Sequence, residues 1–123
     1  MLARKYAQYL GIVLLLLAFI GFILGDNPLL GVINIDIQED FIHLLSGTIL
    51  LFVGFKKSEP TAANVVGALG LIYLIIGFTG FVTPDLIGIL QHEYTLVDNL
   101  IHIFIGIMSV IVYKLSSSKA HSN

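Results

Sequence analysis

The sequence predicts an all-α protein, a four-helix transmembrane bundle built from two parallel-oriented two-helix repeats. Three observations predict it. Hydrophobic residues make up 57 % of the 123 residues and charged residues only 11 %, with a mean hydropathy of +0.97. A water-soluble domain of this size has too much surface to cover with so few charges. Four apolar stretches reach the roughly 20 residues that a helix needs to cross a hydrocarbon core of about 30 Å. Finally, a shift of 59 positions aligns residues 10–55 with 69–114 without a gap.

The first span is expected over Tyr6–Leu24. It follows Arg4 and Lys5 and has the look of a secretory leader, but no small-x-small cleavage site follows the apolar run, so it is read as retained. The second, Ile37–Phe55, and the fourth, Leu96–Tyr113, both open on polar residues. The third is Ala63–Val82. The connections 25–36 and 83–95 remain apolar and are read as segments at the interface or folded over the bundle mouth. The whole chain, 1–123, is one membrane domain: repeat 1 over about 10–55, repeat 2 over about 69–114, and a polar tail at 115–123 in which His121 is incidental.

The aligned halves share Gly11/Gly70, Gly21/Gly80, Asp26/Asp85, His43/His102 and Gly47/Gly106. Apolar identities come cheaply in a membrane protein; matched Gly, Asp and His do not. Each half is a two-span hairpin, so both halves point the same way, about an axis along the membrane normal. Ala63, Gly67, Gly70, Gly77 and Gly80 form one stripe on the third span, echoed by Gly11, Ala18, Gly21 and Gly25 on the first. Helices in lipid associate by close backbone approach, and such stripes mark the contacts.

Charge sets the orientation. All six basic residues (Arg4, Lys5, Lys56, Lys57, Lys114, Lys119) fall on one side of a four-span arrangement. Every acid except Glu59 falls on the other. The positive-inside rule then puts both termini and the middle loop on the cytoplasmic face of a bacterial inner membrane. Partners are therefore the lipid bilayer, with a homo-oligomer or a membrane-complex partner as further candidates; no basic patch points to nucleic acid. With no cysteine, thiolate chemistry is excluded.

The polar residues at the starts of the second and fourth spans raise the question of function. Asp36-x-x-Glu39 and Thr95-x-x-Asp98 align with each other and read as capping boxes. That leaves Asp40/Asn99 and His43/His102, spaced i, i+3 on one helix face, with Gly47 and Gly106 one turn on and Ser109 continuing the side. Polar groups at this depth should face the bundle interior. Asp26 and Asp85 could ring the same mouth. The main reading is a structural or accessory membrane protein whose outward-side cluster of Asp40, His43, Asn99 and His102 hydrogen-bonds between helices. The alternatives are a haem- or metal-binding module in electron transfer or sensing, and a minor ion or solute carrier. For a cofactor, two histidines could ligate a haem iron, or His43 and His102 with Asp40 could hold a divalent metal. No nucleophile–base pair, catalytic carboxylate pair or nucleotide motif is visible, so no enzymatic activity is expected.

The doubled Asp/Asn-x-x-His-x-x-x-Gly at residues 40–47 and 99–106 resembles the pattern of an uncharacterised bacterial family of four-span integral membrane proteins, a domain of unknown function. The likeness covers about residues 8–114 and implies the same fold, with His43, Asn99 and His102 as matched positions. Asp40 departs from the family's usual Asn, which makes one of the two sites more acidic. The family brings no activity with it.

Overall fold

The computed structural model describes residues 1–25, 29–33, 36–89 and 93–120. It is an all-α bundle of four helices: α1 (Leu2–Leu24), α2 (Ile37–Lys56), α3 (Glu59–Val82) and α4 (Leu96–Ala120). All four are long and apolar enough to cross a membrane. The helices are longer than the apolar spans alone suggest. α1 and α3 begin four residues earlier than expected, and α4 runs on past Tyr113 into the polar tail.

These extensions exist because the helix ends satisfy one another. Met1 gives α1 no side-chain cap. The Glu59 carboxylate does so instead, accepting from the Ala3 and Arg4 N–H groups at 2.7 and 3.1 Å. An acid at a helix start also suits the positive end of the helix dipole. This explains the lone acid on the lysine side of the chain. In return, Arg4 Nε and Gln8 Nε2 of α1 donate to the Gly54 carbonyl near the end of α2, at 3.0 and 2.8 Å, where carbonyls lack intrahelical partners. α3 starts with Pro60 in its first turn, where a missing N–H costs nothing. α1 stops at Gly25, whose φ of 62° is left-handed territory that glycine enters freely.

Packing is pairwise, α1 on α2 and α3 on α4. Glycines set both contacts. A Cβ built on Gly47 would stand 3.0 Å from the Gly11 carbonyl oxygen, and one on Gly106 would stand 2.8 Å from the Gly70 carbonyl oxygen. The backbones therefore touch, the contact that favours helix association in lipid. The stripe read from the sequence is buried along α1 as Gly11, Ala18 and Gly21, extended toward the N-terminus by Ala3 and Ala7.

The pairs join through α1 and α3, which touch across one diagonal of the bundle, and through the neighbouring α2–α3 and α1–α4 contacts. The core below the site contains Ala3, Ala7, Ala62, Ala63 and Val66, with Leu14, Leu50 and Tyr73 above them, all buried. Among the described residues the backbones of α2 and α4 make no contact. Bringing α1 and α3 together separates α2 from α4. Side chains bridge that longer diagonal, among them Glu39, His43 and His102.

The outer connections fold back over this end. Leu29 and Ile33 form an isolated antiparallel bridge, and Thr95 Oγ1 donates to the Val32 carbonyl at 2.9 Å. The second connection turns at residues 84–89 and is tied by Tyr94 N–H to the Pro84 carbonyl at 2.8 Å. Leu86 and Tyr94 pack there with Ile76 as a small separate cluster.

Candidate metal centre

His43 and His102 face each other across the α2–α4 diagonal, with ring centroids 6.4 Å apart. Between them lies Glu39, one turn before His43 on the same face of α2. Its Oε1 is 3.7 Å from His43 Nε2 and 3.5 Å from His102 Nε2. These separations are too long for good hydrogen bonds. They approach the roughly 3.3 Å edge of a tetrahedron whose metal–ligand bonds are about 2.0–2.1 Å. One donor atom from each of the three residues lies within 4.8 Å of the others, so together they could hold a metal ion. The group is enclosed: Glu39 and His102 are each 4 % exposed. The second carboxylate oxygen of Glu39 is buried without a hydrogen-bond partner, a costly condition that a cation would relieve.

The capping pattern explains how Glu39 comes to be there. At the start of α4 the box closes as predicted: Thr95 N–H donates to Asp98 Oδ2 at 2.8 Å, and Asp98 N–H donates to Thr95 Oγ1 at 3.2 Å. At the start of α2 only half of it forms. Asp36 Oδ1 accepts from the Gln38 N–H at 2.9 Å, while Glu39, one methylene longer than its counterpart Asp98, turns inward to the histidines.

Two tyrosines complete the surroundings, and neither was singled out in the sequence. Tyr94 packs its ring 5.0 Å from that of His102, near Glu39 and Asp98. Burial, then the nearby Glu39 and Asp98 carboxylates, raises its phenol far above the ordinary range, so it remains a proton donor. Tyr73 of α3 lies 5.5 Å from His102 on the other side, fully buried, its hydroxyl without a hydrogen-bond partner. One signal could have found Tyr73: it falls on the α3 glycine face, between Gly70 and Gly77. Tyr94 lies in a connection with no periodicity to read.

A cavity of about 100 Å³ opens on Glu39, His43 and His102, walled also by Asp40, Asp98 and apolar side chains that include Leu14 and Ile33. It suits an ion with a few waters. Pockets for larger cofactors start at roughly 300 Å³.

The remaining candidates fall in several places. Asp40 packs its carboxylate against the Cα of Gly21, and Asn99 packs its amide against Gly80. Asp40 joins the cavity wall, whereas Asn99 does not. Asp85 is half-buried in the turn after α3 and is not part of that wall. Asp26 and His121 lie outside the described residues. Ser109 is bonded to the Tyr6 hydroxyl at 2.9 Å, well away from the histidines.

The expectation of a structural or accessory protein with an outward-side histidine cluster is thereby overturned. The cluster lies inside the bundle, and the Glu39 carboxylate stands between its histidines, which is the composition of a metal site. The reason is steric: α1–α3 contact leaves room between α2 and α4, and Glu39 is long enough to occupy it. No protein-family model, curated protein or solved structure matches the chain.

Proposed function

We propose that this protein is a metal-binding membrane module that holds one divalent first-row transition ion between Glu39, His43 and His102. The observation that carries the proposal is the convergence of these three donors, Glu39 and His102 buried and His43 partly so, from two helices whose backbones do not touch. Two imidazoles and a carboxylate suit Zn²⁺ or Fe²⁺ and leave coordination positions free, which a closed structural site does not. The ion links the first hairpin to the second, so occupancy bears on how the hairpins sit together. That favours sensing over catalysis.

The setting supports the same reading. Gly11 against Gly47 and Gly70 against Gly106 are equivalent contacts 59 positions apart, which supports a duplicated hairpin. The resemblance to a four-span family, which no family model supports, bears on the fold alone. The distribution of lysine and arginine supports an inner-membrane orientation with both termini in the cytoplasm. Equilibrium dialysis of detergent-purified protein against Zn²⁺ tests the proposal. One equivalent per chain is expected, with affinity falling by more than about 100-fold in Glu39→Gln, since outer-sphere losses alone reach 10–100-fold. Wild-type protein that retains no zinc would refute it.

A further inference from the structure

We infer that Asp40 is the charge-balancing carboxylate of this site and sets it for a divalent rather than a monovalent ion. The inference rests on the metal-binding reading above. A dication held by Glu39 and two neutral imidazoles keeps one uncompensated positive charge, and in a buried site such a charge is expensive unless it is paired. A second carboxylate in the same wall removes it.

The acids near the cavity differ in what they already do. Asp36 and Asp98 accept from backbone N–H groups at the starts of α2 and α4, where the positive ends of the helix dipoles hold their charge. Asp40 is 4 % exposed and lines the cavity with Glu39 and the histidines. Its carboxylate fits there because Gly21 of α1 has no side chain; a Cβ at that position would run into it.

The chain also contains its own control. The corresponding notch at Gly80 holds Asn99, which is neutral and is not part of the cavity wall. Of the two equivalent positions, only the one that borders the cavity carries charge. With the Asp98 carboxylate of the wall already held by the start of α4, Glu39 and Asp40 supply the remaining two negative charges, the number that neutralises a dication. With Asn at position 40 the donors would carry one, which matches a monovalent ion held between two imidazoles.

Competitive titration of purified protein with Zn²⁺ and with Ag⁺, a redox-inert monovalent probe, tests this. Wild type is expected to prefer Zn²⁺. Asp40→Asn should weaken Zn²⁺ by about 30-fold or more through loss of a nearby charge, with little change for Ag⁺. Asp40→Glu, which keeps the charge, should retain the preference, and Asn99→Asp should leave it unaltered. If wild type binds Zn²⁺ and Asp40→Asn binds it equally well, the role of Asp40 is refuted while the site stands. If Ag⁺ and Zn²⁺ weaken together in Asp40→Asn, Asp40 acts on the shape of the site and the inference also fails. If wild type binds neither ion, both proposals fall.

Discussion

Replacement of His102 by alanine is expected to leave the four helices in place and to abolish stabilisation by Zn²⁺. His102 is the only donor of the set from the second hairpin. Without it, an ion could hold Glu39 and His43 within one helix but could not tie α2 to α4. A ligand at 100 times its dissociation constant stabilises the state it binds by about 2.7 kcal/mol. For a chain of this size that corresponds to a rise in Tm on the order of 10 °C. Thermal melts followed by circular dichroism should show such a rise for wild type and none for His102→Ala. In the absence of metal the variant should melt somewhat below wild type, because the lost ring packs against Tyr73 and Tyr94; the rise on adding zinc is the comparison that decides.

Gly106→Leu should have the largest effect on the fold. Even a Cβ at this position would stand 2.5 Å from Leu74 Cγ and 2.8 Å from the Gly70 carbonyl oxygen. A side chain can change rotamer, but the α3 backbone cannot, so the helices must separate. Overpacking usually costs about 1–3 kcal/mol, and a leucine against backbone should reach the top of that range. The expected result is a markedly lower Tm, or failure to recover folded protein, whether or not zinc is present. Phe104→Ala, on the outer face of the same helix, should change stability by less than about 0.5 kcal/mol in detergent. The two glycine contacts thus govern the bundle, while the histidines govern the ion.

How much of this was legible in the sequence differs between scaffold and site. The helices and their pairing through small residues follow from hydropathy and glycine spacing. Their true lengths do not, because Glu59, Arg4 and Gln8 complete helix ends more than 40 residues away in the chain. The role of Glu39 was concealed by the repeat itself. Alignment with Asp98 gives both residues one reading as helix caps, and only Asp98 takes that role. One added methylene decides between a local partner and a distant one, a choice that spacing rules do not capture. Asp40 was recognised as a departure from symmetry, but its position against Gly21 depends on how closely α1 approaches α2. Tyr94 reaches the site from a connection, and its path follows from tertiary contacts alone.

The central claim is that Glu39, His43 and His102 close around a single ion, and zinc-edge X-ray absorption of protein loaded with one equivalent tests it most directly. The account predicts two imidazole nitrogens and a carboxylate oxygen in the innermost shell, at about 2.0–2.1 Å, with the imidazole scattering halved in His102→Ala. A shell with no imidazole, or one unchanged by that substitution, would contradict it.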